Sequence, residues 1–528
     1  MTKILFLNPN VDSYGRTPIG ITNYCGLLKA NGHEVKLFDT TFFNTEYLFL
    51  GKDSGTMKPS VEHGFYQKTN IEDYGVRKET VDIVKRLNEV IEEFQPDIIA
   101  FSLFSCMLTG EDEYRMYARG LHLIDKCIRT GYKVIVGGII PTLEPEKTII
   151  NPLVDIVCRG EGELAFLDLA NAINENDSEK IKKIENLWVK EGSDIFRNPL
   201  RPLIYDLDVL PTPDFDIFED RIFYRPYHGE VLRGIDFEFS KGCYYTCSYC
   251  VSSAFKDLYG VPSKQYRREK SVDKLVNDLS IITKKHKIQV VKFLDELFLG
   301  MSEDKLKIMS EEYQKKVGLP FMIETTIGSL SENKLKYLKE MGCMNISLGV
   351  ECGNDKFRKE VLKKNISSNK IVEKIKLINK YNIDYSLFTI IGFPFETRDL
   401  IFDTIDLYKR SGAKCVSCAY FQPFVGAELT KICVDKGFMK GEEGDVKYAT
   451  TENSSLTLPT ISNHELKGLM KTFMLYVYYP KFFYPIIKFT ENDGFFSNKL
   501  YHFLNKYIMF KLKCSQNRYS DFIKKRSE

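Results

Sequence analysis

The sequence predicts an α/β protein: an N-terminal doubly wound parallel sheet, then a partial (β/α)6 barrel, then a helical C-terminal region. Three observations lead there. Short apolar runs alternate with amphipathic stretches over residues 3–163 and again over 231–423, the rhythm of parallel strands joined by crossover helices. Between the two blocks the composition shifts to Pro199, Pro202, Pro211 and Pro213 among acidic and aromatic residues, as in an extended connector. Beyond residue 440 the rhythm stops. These breaks set domains at 1–175, 176–228, 229–440 and 441–528, in a chain of 528 residues that is too long for one core.

In the first block, residues 3–7 (KILFL), 34–38, 97–101, 133–136 and 155–158 read as strands. Helices are expected at 18–30, 79–94 and 111–130, and the first ends at Asn31-Gly32, a usual helix stop. Residues 40–77 form a long insertion, whose length suggests a lid or a mobile excursion. Ligands of such a sheet bind at the carboxyl ends of its strands. The candidate contacts therefore lie in residues 8–20, 102–110, 137–142 and 160–163, among them Pro18, Gly20, Ser102, Ser105, Gly137, Gly138, Gly160, Glu161 and Gly162. Glycine there admits a flat ligand close to the backbone, although it also serves to make tight βα turns.

The second block opens with a strand at 231–240 and continues with strands at 289–294, 320–324, 345–350, 385–391 and 416–421. Their carboxyl ends carry Asp295-Glu296, Thr325-Thr326, Glu351-Cys352-Gly353, Gly392-Phe393-Pro394 and Gln422-Pro423, which is where chemistry collects in a barrel. After the first of these strands stand Cys243, Cys247 and Cys250, at x3 and x2 spacing. Three soft thiolates can hold three corners of a [4Fe–4S] cube and leave the fourth iron open to an exchangeable ligand. The alternatives are a zinc knuckle lacking a ligand, or thiols buried as small apolar groups. Zinc would want a fourth Cys or His close by, and the next histidine is His286. Cys415 and Cys418 lie within a strand, where alternation turns them to opposite faces. Cys352 reads as a small buried side chain.

The stretch Cys243-Tyr244-Tyr245-Thr246-Cys247-Ser248-Tyr249-Cys250 resembles the signature of the radical S-adenosylmethionine (SAM) superfamily. Phe293-Leu294-Asp295-Glu296, Gly349-Val350-Glu351-Cys352-Gly353 and Gly392-Phe393-Pro394 resemble, in order, its later strand-end elements. The resemblance implies a cluster on the three cysteines, with SAM bound near Asp295, Glu296, Glu351, Gly392 and Pro394. Upstream, Pro18-Ile19-Gly20, Asn31-Gly32-His33-Glu34-Val35, Val136-Gly137-Gly138 and Arg159-Gly160-Glu161-Gly162-Glu163 resemble the cobalamin-binding domain that precedes many such barrels. The cobalt-ligating D-x-H-x-x-G motif is missing, since residues 12–20 hold no histidine, and His33 reads as structural. The resemblance thus implies base-off cobalamin without a histidine ligand.

The activity so implied is reductive cleavage of SAM and functionalisation of an unactivated carbon, most commonly methyl transfer from cobalamin. Radical ring formation, rearrangement or carbon–carbon coupling is the second reading, and a non-catalytic cobalamin or metal scaffold the third. A methylthiotransferase fits poorly, because Cys25, Cys106, Cys127 and Cys158 do not make the second cysteine trio that such enzymes carry.

A net charge of +2, from 74 basic and 72 acidic residues, argues against a nucleic-acid partner. The expected partners are a small-molecule or lipid-like substrate and an electron donor of the flavodoxin or ferredoxin type. Thirteen irregularly spaced cysteines and an N-terminus that runs straight into a strand point to a soluble, cytoplasmic protein. No apolar run reaches the roughly 18 residues of a spanning helix. Residues 481–513 mix Phe, Tyr and Ile with Lys, a pattern that suits peripheral membrane contact or a greasy substrate, and equally an ordinary helical cap on the barrel.

Overall fold

The structure, a computed structural model, describes residues 1–10, 17–44, 71–101, 110–227, 230–439, 453–513 and 520. Ser102, Ser105, Cys106 and most of the 40–77 insertion fall outside these residues. The first sheet holds the five expected strands, β1 (Lys3–Asn8), β2 (Glu34–Asp39), β3 (Ile98–Phe101), β4 (Lys133–Gly137) and β5 (Ile156–Cys158). They run parallel in the order β2-β1-β3-β4-β5. The side chains of β1, β3, β4 and β5 are almost wholly buried because helices cover both faces, the edge strand β2 is half-buried, and one core forms on each side.

The sheet does not stop at residue 175. An antiparallel hairpin, β6 (Leu187–Glu191) and β7 (Asp194–Arg197), extends it past β5, so the first domain reaches into what the sequence assigns to the connector. The polar ends of these strands hide the pairing, which depends on the neighbouring edge rather than on local pattern.

The connector proper is packed. Thr212 Oγ1 donates to Asp278 Oδ1 at 2.6 Å, Asp214 N donates to Thr22 O at 2.9 Å, and Lys29 pairs with Asp214 at 2.6 Å. A Cβ on Gly26 would lie 2.5 Å from the Thr212 carbonyl, so the connector sits directly on the Ile19–Ala30 helix.

In the second sheet, β8 (Tyr224–Tyr227) pairs antiparallel with β9 (Glu230–Phe237). A two-stranded ribbon of β10 (Ser240–Lys241) and β11 (Arg268–Glu269) follows. Then come β12 (Val290–Phe293), β13 (Phe321–Thr326), β14 (Cys343–Glu351), β15 (Asp384–Ile391) and β16 (Val416–Tyr420). The order β16-β15-β14-β13-β12-β9-β8 contains six parallel strands in chain order, an open half-barrel as the sequence predicts. The Asn463–Tyr478 helix packs against β16 and the Arg398–Ser411 helix, and two further helices, Tyr484–Phe489 and Phe495–Lys513, pack on it in turn.

Because a methyl at residue 26 has only backbone to meet, Gly26→Ala should lower unfolding stability by about 1–3 kcal/mol. Denaturant titration measures the loss, and an unchanged midpoint would contradict this packing.

Candidate functional site: the cysteine loop and the domain seam

The cysteine loop is held at both flanks. Where the chain leaves β9, the buried Asp295 carboxylate accepts from Ser240 N and Ser240 Oγ, each at 2.5 Å, and from Phe239 N at 3.3 Å. Burial pushes this carboxyl up to about 7, against the pull of those donors. Asp295 is thus committed to the loop's backbone. Glu296 accepts from Gly242 N at 3.1 Å, which leaves its other oxygen Oε1 free of that bond. Gly242 has φ +80° and passes so close to Tyr266 O that a Cβ would lie 2.4 Å away.

Further along, Ser248 N and Oγ donate to Leu362 O and Val361 O at 3.3 and 2.6 Å, and Leu429 N donates to Ser248 O at 2.9 Å. Cys250 is the N-cap of the Val251–Tyr259 helix. That helix is absent from the sequence reading, because nine residues are too short a stretch to be told from a loop by pattern alone.

The three thiols lie close enough to raise one another electrostatically. Burial pushes Cys243 and Cys250 up to about 12, and proximity adds to it: Cys250 and Cys247 raise Cys243, and Cys247 raises Cys250. Burial also raises Cys247, against a lowering by Lys364, while Glu351 adds to the rise. Glu351, at φ +70°, sits at a register shift between β14 and β15, where its Oε1 meets Lys364 Nζ at 3.3 Å. Lys364 also donates to Gly349 O at 2.8 Å. At the fifth strand end, the buried Glu396 accepts from Gly392 N at 2.6 Å and Phe393 N at 3.3 Å, which sets the turn containing Pro394. Phe393 packs on Tyr249 with centroids 5.6 Å apart. Glu296, Glu351 and the Gly392–Pro394 turn therefore border the cysteine loop.

Cys352 is fully buried, with Glu396, Thr404 and Arg358 around its thiol. Cys25, Cys127 and Cys158 are also buried, and His33 bonds Asn171 at 3.0 Å within the first domain. Among the described residues no three His, Cys, Asp or Glu side chains converge on a single-ion site. One zinc ion would draw its sulfurs to within about 4 Å; a cube sets its thiolates on separate irons and needs no such convergence. Three neighbouring thiols on a glycine-hinged loop fit that group.

The seam between the domains is built on the Gly-Glu-Gly-Glu element. Glu161 receives Arg268 of β11 in a two-pronged ion pair at 2.6 and 2.8 Å, and Glu161 N donates to Tyr259 OH at 2.7 Å. Glu163 pairs with Lys241 of β10. The approach is close at Gly160, where a Cβ would lie 2.0 Å from Tyr259 OH, whereas one on Gly162 would meet Tyr24 OH of its own domain at 2.4 Å. Gly160 and Glu161 thus receive the barrel, and the ribbon held there leads directly to Cys243. A second seam contact joins Thr17 N to Asp236 of β9 at 3.0 Å, and Arg225 grips the same carboxylate at 2.8 and 2.9 Å. Of the other sheet-edge candidates, Pro18 precedes the first helix, Gly20 lies in its first turn, Gly137 ends β4 and Gly138 follows it, with φ +116°.

An open six-strand parallel half-barrel with three cysteines after its first strand defines a radical SAM enzyme, here preceded by a doubly wound domain. A radical SAM superfamily model matches residues 237–408 and a B12 binding domain model matches residues 61–170. The chain thus carries a B12-binding domain followed by a radical SAM domain.

An uncharacterized methyltransferase of Pyrococcus horikoshii, PH0819, is 26% identical over 411 residues, covering 77% of this chain and 84% of that protein. The cytidylyl-2-hydroxyethylphosphonate methyltransferase of Streptomyces wedmorensis is 23% identical over 488 residues, covering 84% and 83%. Among solved structures, the radical SAM methyltransferase TsrM of Kitasatospora setae, with cobalamin and a [4Fe–4S] cluster bound, superposes with a TM-score of 0.64. It is 15% identical, over 97% of this chain and 99% of that one.

Since Lys241 and Glu163 are both largely buried, Glu163→Leu should destabilise the protein by about 3–5 kcal/mol by stranding the ammonium. Glu163→Leu/Lys241→Met should recover most of that. Chemical denaturation of the three proteins tests it, and equal losses in single and double variants would contradict the pairing.

Proposed function

We propose that this protein is a cobalamin-dependent radical SAM methyltransferase acting on an unactivated carbon of a small-molecule substrate. The observation that carries this reading is the seam: the domain matched by the B12-binding model is ion-paired to the ribbon that ends at Cys243. Two cofactor-handling units are thereby fixed to each other rather than strung on a free linker.

When bound, a reduced four-iron cluster supplies the electron that splits SAM into methionine and a 5′-deoxyadenosyl radical, and cobalamin supplies the methyl group. The chain's residues hold and orient. Cys243, Cys247 and Cys250 would each ligate one iron. Glu296, with one oxygen on Gly242 N, keeps the other for the methionyl ammonium. Glu351, restrained by Lys364, offers its second oxygen to the ribose hydroxyls. The Gly392–Pro394 turn, fixed by Glu396, presents backbone to the adenine. Phe393 and Tyr249 form an apolar wall beside the loop that excludes water from the reacting centre. At the first domain's sheet edge, Pro18, Gly20, Gly137 and Gly138 are the described candidates for corrin contact.

Cys243→Ala, reconstituted anaerobically, should hold no stable cluster and form no 5′-deoxyadenosine above background. Glu351→Gln should assemble the cluster and bind SAM about 10- to 100-fold more weakly. Product analysis by mass spectrometry checks both, and equal release of 5′-deoxyadenosine and S-adenosylhomocysteine by the native protein is the expected sign of methylation. Normal turnover by Cys243→Ala would refute the assignment.

A further inference from the structure

Of the sixteen large apolar side chains exposed among the described residues, seven fall within residues 482–507: Phe482, Ile486, Phe489, Phe495, Phe496, Phe503 and Tyr507. They are not scattered. In the Phe495–Lys513 helix, Tyr501, Leu504 and Ile508 are buried. Phe496, Phe503 and Tyr507, 7 and 11 residues apart, form a stripe about 40° wide on the outer face. Phe496 and Phe503 are 76% and 72% exposed. The buried Tyr479 links the stripe to the neighbouring turn: Tyr507 lies 6.0 Å from Tyr479, Tyr479 lies 5.0 Å from Phe483, and Phe483 lies 4.6 Å from Phe482, itself 76% exposed.

Among the described residues, the exposed charge of this segment is mostly positive, with Lys481 alone of its four exposed lysines paired to an acid, Asp406, at 3.0 Å. Lys481, Lys488, Lys499 and Lys506 are exposed along it, with Lys499 Nζ 4.6 Å above the Phe495 ring. The two acids of the segment are engaged inward or sideways, Glu491 by Arg398 and Tyr476, and Asp493 by Lys467 at 3.0 Å. Exposed aromatic rings flanked by lysines match the boundary of an anionic bilayer, where rings enter the acyl margin and ammonium groups meet the headgroup phosphates. No helix among the described residues is long and apolar enough to cross a membrane, so the contact is one of lying on the surface. The helices that carry the face stand on the Asn463–Tyr478 helix at the β16 edge, whereas the seam engages β9 to β11.

We propose that this aromatic–lysine face is a peripheral docking surface for anionic phospholipid membranes. The inference is independent of the reaction that the protein catalyses. Flotation of the full-length, cluster-reconstituted protein with phosphatidylcholine vesicles, and with vesicles containing 30% phosphatidylglycerol, tests it. The protein should float with the anionic vesicles and only weakly with the neutral ones. Lys499→Gln/Lys506→Gln should weaken partition about 30-fold, and Phe496→Ala/Phe503→Ala at least about 10-fold, with unchanged melting midpoints because all four side chains are exposed. Equal binding to both vesicles, no binding, or binding unaffected by the variants would overturn the proposal. So would a concentration-dependent dimer in sedimentation velocity, lost in Phe496→Ala/Phe503→Ala, without vesicle binding, which would assign the face to a second copy of the chain.

Discussion

The ion pairs between the Gly-Glu-Gly-Glu turn and the β10–β11 ribbon are the constraint on which the architecture turns. Lys241 lies two residues before the first cysteine, and its buried partner Glu163 opens a helix of the other domain. Arg268, opposite Lys241 in the ribbon, holds Glu161 with both prongs. A buried lysine without a counter-charge costs several kcal/mol, so with the domains docked this part of the barrel depends on Glu163 of the first domain. The position of the cysteine loop and the docking of the domain are therefore one structural fact.

The same economy appears along the half-barrel rim. Each strand-end carboxylate either fixes backbone or faces the loop, and neighbours take different roles. Asp295 accepts from Phe239 and Ser240, while Glu296 accepts from the Gly242 amide. Glu396 holds the turn after β15, and Glu351 stands at a bulge with a positive φ, an uncommon conformation for a residue with a side chain. Strain of that kind persists where surrounding structure dictates it, here through Lys364 and the shifted β14–β15 register.

Much of this was legible in the sequence, for identifiable reasons. Parallel strands buried on both faces read as continuous apolar runs, so all five parallel strands of the first sheet and all six of the barrel appear within a few residues of where they lie. The cysteine spacing is a local code and needs no tertiary information. What escaped depends on partners distant in sequence. The β6–β7 hairpin exists because β5 presents an edge, and the Val251–Tyr259 helix because the loop before it is pinned to residues 361, 362 and 429. The Gly-Glu-Gly-Glu turn was visible as a motif, but a motif does not say which surface it meets. Its two carboxylates find cations about 80 and 107 residues further on. The aromatic C-terminal segment left two readings open, because its pattern alone does not say which face of its last helix packs inward: Tyr501, Leu504 and Ile508 do, and Phe496, Phe503 and Tyr507 do not.

The most direct test of the account's central claim is Mössbauer spectroscopy of the protein reconstituted with enriched iron, with and without SAM. Three cysteine ligands predict a four-iron cluster in which one iron is distinct and shifts when SAM is added. Four equivalent irons indifferent to SAM, or the absence of a four-iron cluster, would contradict it.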